Sequence, residues 1–351
     1  MTLTLMQVVW SVAQSTVSLG SKIIVTAGLL LVTQAVYVVL TTPRLPPPDR
    51  SGHEFEKEGL LASYYRDDDD TNHNKRTGES SRVEEDVQHA QCDDSSDEFR
   101  LVLVGDSPVQ GIGNRSHAEA LGGQTALQFS KMLRRPVRYW SYGKSGLTAQ
   151  GIQEHMVPHL RSLLSRNNNN NNNNTNTDTD NVDAIVVSCG VNNTLRGVSP
   201  DAFGRQVHAL LCSIRQCCPT LPLLVMELLD FELLPFIPYP LRYVASWRSR
   251  ALRDQMQLVV DNFPQTQSRA AETGGPVVAP IGTAYMPRIG ELLGKRHECS
   301  LLQHLTYEER QSLRLEDFFA DGNFHPANIG TTIVGIILVQ TYNTMISPPR
   351  Q

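Results

Sequence analysis

The chain of 351 residues carries 31 basic and 36 acidic side chains, a formal net charge of −5, with 40% hydrophobic and 19% charged residues. This balance is that of a globular protein and excludes a fully disordered chain, a collagen and a polytopic membrane protein. Net acidity also excludes a generic nucleic-acid binder, which needs a basic surface, so no nucleic acid is expected as a partner.

The charge is unevenly placed. Residues 1–50 are net +2, residues 51–98 hold 15 acidic and 5 basic side chains, and residues 99–351 are left at +3. Ile23–Leu40 is an uncharged run of 18 residues. At about 1.5 Å rise per residue, such a run just spans a hydrocarbon core of roughly 30 Å. Twenty-two residues precede it and no A-x-A site follows closely. That favours an uncleaved single-pass signal anchor within residues 1–44 over a removed signal peptide. A membrane is therefore the expected partner and location, with the side left open because Lys22 opposes Arg44 and Arg50. Residues 45–98 read as a disordered acidic linker, because Asp67–Asp70 and Glu84–Asp86 repel one another and few apolar residues could form a core. The Asp67–Asp70 run lacks the spaced ligands and glycine of a calcium loop.

From Phe99 onward, short apolar runs alternate with helical patterns. Leu101–Val104, Val137–Trp140, Ala184–Ser188, Leu223–Met226 and Val277–Ala279 have the form of buried parallel strands. Helices are expected over His117–Arg134, Thr148–Ser165, Pro200–Gln216, Leu241–Asn262, Tyr307–Phe318 and Ala327–Met345. Length alone suggests about two domains. The pattern instead gives one catalytic domain, residues 99–351, built as an α/β three-layer sandwich on a five-stranded parallel sheet. The asparagine run Asn167–Asn174 belongs to a low-complexity loop insertion of about 166–181.

No C-x-x-C pair occurs among the six cysteines, so neither a zinc site nor a disulfide framework is signalled. His155 and His159 are four apart, but the segment is H-M-V-P-H rather than H-E-x-x-H, and His297, Cys299 and His304 match no metal spacing. No metal and no cofactor are expected.

The chemistry-bearing residues follow strand ends. Gly105-Asp106-Ser107-Pro108 closes the first strand, where open α/β sheets bind ligands, so Ser107 can project its hydroxyl into the crevice. The same residues also suit a capped turn. No G-x-S-x-G elbow, dinucleotide fingerprint or phosphate loop is complete. Gly143 and Gly146 follow the second strand, and Gly190-Val-Asn192-Asn193 follows the third. A glycine N–H or an Asn amide there can donate to an oxyanion, though an ordinary turn or Asn cap reads equally well. Asp321 and His325 precede the last helix, and a histidine near a serine can act as general base.

In this order the blocks VLVGDSPVQGIG, VVSCGVNNTLRGVSP and FFADGNFHPANIG resemble the SGNH/GDSL hydrolase superfamily over about residues 99–347. FIPYPLRYVASWRSRALRD resembles the same esterases. The resemblance implies a flavodoxin-like fold and a serine esterase. Ser107 would be the nucleophile, His325 the general base and then acid, and Asp321 the residue that holds the imidazole. The oxyanion hole would be the Ser107 N–H, the Gly146 N–H and the Asn192 amide. Activity would fall below roughly pH 6 as His325 takes up a proton. The family usually places Asp three residues before His, whereas Asp321 is four before, so an extra residue must bulge or a Ser–His dyad operates. The usual Gly-x-Asn-Asp ends here in Asn193.

Leu228–Pro240 is apolar, proline-stiffened and next to the site; it either lines an acyl pocket or packs the core. The expected substrate is a small-molecule or lipid (lysophospholipase-like) ester. Acyl transfer to, or deacetylation of, a sugar or alcohol with the same triad is the alternative enzyme, and an inactive membrane-tethered binding module the alternative class. The oligomeric state is left open.

Overall fold

The computed structural model describes residues 24, 26–35, 37–38, 56–62, 98–166, 182–234, 237–263, 280–286, 289–296, 298–319 and 325–346. The asparagine run, most of the expected linker, the run Val277–Ala279, His297 and Asp321 lie outside the described residues.

Six strands among the described residues form one sheet in the order β1-β3-β2-β4-β5-β6. These are β1 Glu56–Ala62, β2 Phe99–Gly105, β3 Val137–Gly143, β4 Ala184–Ser188, β5 Leu223–Met226 and β6 Ile281–Ala284. The last five are parallel, as the alternation of apolar runs and helices requires. Their side chains divide strictly by period two. Leu101, Leu103, Ala184, Val186 and Leu224 enter one core layer, and Val102, Val104, Ile185, Val187 and Val225 the other.

The helices are α1 Thr26–Ala35, α2 Ser107–Gln110, α3 Leu121–Leu133, α4 Ala149–His155, α5 Val157–Arg166, α6 Val191–Leu195, α7 Pro200–Cys217, α8 Leu241–Asn262, α9 Ile289–Gly294, α10 Tyr307–Ser312 and α11 Asn328–Ile346. Helices α3 and α11 supply one apolar layer, where Phe99, Phe129 and Tyr342 pack at ring distances of 5.2–5.7 Å. Helices α4, α5, α7 and α8 supply the other. Among the described residues, α11 is the helix long and apolar enough to cross a membrane; half of it is buried in this core.

Three details add to or differ from the sequence pattern. Strand β1 pairs antiparallel with β3 inside the stretch expected to be a disordered linker, from Glu56 opposite Tyr142 to Ala62 opposite Val137. An edge strand is held by main-chain bonds to a single neighbour and tolerates charges such as Glu56, Lys57 and Glu58, so it leaves no buried-strand pattern to read. The fifth parallel strand is described over Ile281–Ala284, where Leu223 pairs with Ile281 and the Leu223 N–H donates to the Pro280 carbonyl (3.2 Å); the expected run Val277–Ala279 lies outside the described residues. The helix expected over Thr148–Ser165 breaks at Met156, since Pro158 cannot donate the bond that would continue α4.

Chain order β2-β3-β4 reverses direction around β2, which makes the carboxyl ends of β2 and β4 a topological switch point. Helix α2 sits hard against β3 there. A side chain at Gly143 would place a carbon 2.4 Å from the Gln110 nitrogen, so only glycine lets the two backbones approach.

Candidate active site

Ser107 is the first residue of α2 and is buried at the end of β2. The neighbouring Asp106 stands at the N-cap position but makes no capping hydrogen bond. Its carboxylate instead accepts from Ser188 Oγ (3.1 Å) and from Asn192 Nδ2 (3.2 Å). Burial pushes the Asp106 carboxyl up to about 7, against the lowering effect of the Ser188 hydrogen bond. Asp106 therefore orients the Asn192 amide rather than closing a helix end. Neither Ser188 nor Asp106 stood out for this role in the sequence.

The sign of the Asp106 shift gives a stability prediction. A folded-state value raised from 3.8 to about 7 means the native protein holds this proton more tightly than the unfolded chain. That contribution is full below about pH 3.8 and is lost as pH rises through about 7, by up to about 4 kcal/mol. Asp106→Asn lacks the ionisation. Thermal melts should show its Tm climbing relative to wild type by several degrees between pH 5 and pH 8; a pH-independent difference would show that Asp106 is not held neutral.

The loop after β3 is tied to α2 and to α6. Lys144 N–H donates to the Gly105 carbonyl (3.3 Å) and Ser145 N–H to Gln110 Oε1 (2.7 Å). Arg196 Nη2 donates to the Gly146 carbonyl (2.7 Å). Gly146 has φ +83°, a conformation that favours glycine. These bonds bring the segments of Ser107, Gly146 and Asn192 to one end of the sheet. Asn193, at the place where the family usually has Asp, is fully buried and structural: its Oδ1 accepts from Ala149 N–H (2.9 Å) and its Nδ2 donates to Gln206 (2.7 Å). An amide suits both bonds, so the departure from Asp joins α6 to α4 and α7 without leaving an unpaired group.

His325 is buried at the entrance to α11. The ends of its loop are pinned, because Phe319 and Pro326 form an antiparallel bridge and Ala327 N–H donates to the Phe318 carbonyl (3.0 Å). Asn114 Nδ2 reaches the Pro326 carbonyl (3.4 Å), linking this loop to the segment after α2. Burial pushes the His325 imidazole down to about 4, so the ring is neutral at pH 7. Asp321 lies outside the described residues.

Pro108, beside the serine, and Pro326, beside the histidine, line one cavity of about 120 Å³ together with Ser188, Val191, Leu228 and Val334. The expectation for Leu228–Pro240 divides. Leu228 and Leu229 line this cavity, whereas Leu234 and Ile237 are buried in the core. Asp230 accepts from Ser246 Oγ (2.6 Å) and Arg250 Nε (3.2 Å), which anchors the segment to α8.

The buried Ser107 at the switch point of the sheet and the buried His325 at the entrance to α11 thus each have a neighbour on the same cavity. The profile of the GDSL-like lipase/acylhydrolase family matches residues 103–332. The chain belongs to that family, and with it to the ester-bond hydrolases. Similar solved structures include a lipase/acylhydrolase from Enterococcus faecalis, 15% identical, with 72% of this chain and 99% of that one covered at a TM-score of 0.41. A lipase from a goat rumen metagenome is 12% identical, with 69% and 97% covered at 0.45. The psychrotrophic esterase EstA from Pseudoalteromonas sp. is 12% identical, with 70% and 98% covered at 0.41. No curated protein matches the sequence.

Proposed function

We propose that the protein is a membrane-tethered serine esterase that cleaves carboxylic esters of acyl or lipid type. Ser107 attacks the ester carbonyl, and His325 takes the hydroxyl proton and returns it to the leaving alcohol. Asp321 holds the imidazole. The oxyanion is received by the Ser107 and Gly146 N–H groups and the Asn192 amide, each worth about 3–4 kcal/mol of transition-state stabilisation. The acyl-enzyme is then opened by water along the same path in reverse. The N-terminal run Ile23–Leu40 serves as the anchor.

The observation that carries this reading is the cavity that meets both the Ser107 and the His325 segments. Its walls are mostly apolar, so it suits the acyl side of an ester. An apolar protein cavity of about 150 Å³ takes up benzene, so one of about 120 Å³ suits an acyl chain of about four to six carbons. The full-length protein in detergent should hydrolyse 4-nitrophenyl hexanoate faster than the acetate or the palmitate. Val334 lines the cavity without being fully buried. Val334→Phe should lower kcat/KM for hexanoate about tenfold and leave the acetate rate within a factor of two. Equal rates on all chain lengths would refute the acyl-pocket assignment. Product analysis with added sugars or alcohols separates hydrolysis from acyl transfer.

A further inference from the structure

The cavity of about 120 Å³ that meets Pro108 and Pro326 has a larger neighbour. This outer cavity, of about 750 Å³, has mostly apolar walls, among them Leu301 and Met345, and its rim holds the exposed Tyr285, Gln340 and Thr344. Glu227, Met286 and Ile337 line both cavities, so these three residues are the partition between them. Helix α11 runs past the two in turn. Gly330 and Val334 line the inner cavity, Ile337 lines both, and Thr341 and Met345 line the outer one. These positions are three or four apart, so they follow one face of the helix. From Ile337 to Met345 is eight residues. At about 1.5 Å per residue that is about 12 Å along the axis. An extended alkyl chain with C–C bonds of about 1.5 Å advances about 1.3 Å per carbon, so the outer cavity has the length for about nine more carbons.

The three residues of the partition differ in what holds them. Ile337 is buried in the core, and its β-branched side chain is stiff. Glu227 is engaged at both carboxylate oxygens. Its Oε1 pairs with Arg253 Nε (3.3 Å), and its Oε2 accepts from the Met286 N–H (2.7 Å). The Glu227 N–H donates to the Ala284 carbonyl (3.0 Å), which fixes this residue to the end of β6. The main chain of Met286 is thereby pinned, while its side chain is half-buried and packs against the core from one side. A methionine is unbranched and fills an irregular gap, so it can be shortened here without opening the core beneath it.

We propose that Met286 sets the acyl length this site accepts. Its side chain closes the far end of the inner cavity, and the outer cavity continues the path for a longer acyl chain once that side chain is shortened. The occupant of the outer cavity is then the distal part of the substrate's own alkyl chain. This rests on the acyl-pocket reading of the esterase and adds the residue that limits it.

The test assays the full-length protein in detergent with 4-nitrophenyl hexanoate and 4-nitrophenyl decanoate. Met286→Ala should raise the ratio of kcat/KM for decanoate over hexanoate at least tenfold. The ratio compares two substrates on one protein sample, so a partly unfolded fraction cancels. Adding Thr341→Phe, which fills the outer cavity and does not line the inner one, should return the ratio to within threefold of wild type. Thr344→Trp at the exposed rim serves as a second block where Thr341→Phe does not fold. A ratio unmoved by Met286→Ala would overturn the proposal. So would a raised ratio that survives the block, because the extra carbons would then lie inside an enlarged inner cavity. Absence of any ester hydrolysis would sink the esterase reading, and binding would then decide the proposal alone. Equilibrium dialysis of radiolabelled decanoic and hexanoic acids, at one detergent concentration, should show Met286→Ala raising the preference for decanoic acid at least tenfold over wild type. An unchanged preference would overturn the assignment of Met286.

Discussion

Ser107→Ala should lower kcat/KM for a short-chain ester by about 10⁴- to 10⁶-fold and abolish covalent labelling by a fluorophosphonate. The magnitude follows from what the variant removes and what it leaves. In the proposed reaction the hydroxyl is the attacking group, so no acyl-enzyme would form without it. The Ser107 main-chain N–H, the Gly146 N–H and the Asn192 amide remain, so weak catalysis over water persists. Ser107 is buried and small, and alanine suits the first turn of α2, so the fold should survive with a Tm within a few degrees of wild type. Comparing labelling of wild type and variant under native conditions separates the readings. A wild-type chain that takes no label would identify an inactive tethered module. A variant that still takes label would place the nucleophile elsewhere.

What the sequence showed of the fold was what depends on local pattern. Four of the five parallel strands overlap their apolar runs, and α8 spans the expected Leu241–Asn262. Period-two burial along Leu101–Val104 is written directly in the residues, because both faces of a parallel sheet are covered. What was hidden depends on pairing. Strand β1 is defined by main-chain bonds to β3, some 80 positions away, and its residues Glu56, Lys57 and Glu58 carry an acidic segment's composition. The four residues of β6 are likewise placed by their register against β5, from Leu223 opposite Ile281 to Met226 opposite Ala284.

The candidate site divides in the same way. Ser107, Gly146, Asn192 and His325 were visible because each follows a strand end or precedes a helix. The second layer was not. Asp106 read as a helix cap, yet its partners Ser188 and Asn192 are 82 and 86 positions distant, and spacing carries no signal for such a bond. Asn193 read as a lost carboxylate, whereas its two amide bonds to Ala149 and Gln206 tie three helices together. Both residues bond to distant side chains or main chain, and both needed the sheet to be assembled before their partners met.

Asp321→Asn should lower kcat about 10⁴-fold and shift the acid limb of kcat/KM downward. The proposed reaction needs the neutral His325 ring, which exists above its pKa and is lost as pH falls through it. An ordinary histidine would place that loss near 6.5, and the sequence reading set it below roughly pH 6. Burial moves it down, to about 4. A carboxylate bonded to the ring acts in the opposite direction, since it favours the imidazolium. The wild-type limb should therefore fall between about 4 and 6, and its height above 4 measures the charge supplied to the ring. Asparagine keeps the shape and removes that charge, so the limb of Asp321→Asn, read from fluorophosphonate labelling rates where turnover is too slow, should move toward 4. The rate falls because an amide can stabilise the wrong tautomer of the ring, and a triad with that defect elsewhere loses about 10⁴ in kcat. A variant with a rate within threefold of wild type and an unmoved limb would assign the site to a Ser107–His325 dyad, and the four-residue spacing of Asp321 and His325 would then mark the loss of the acid.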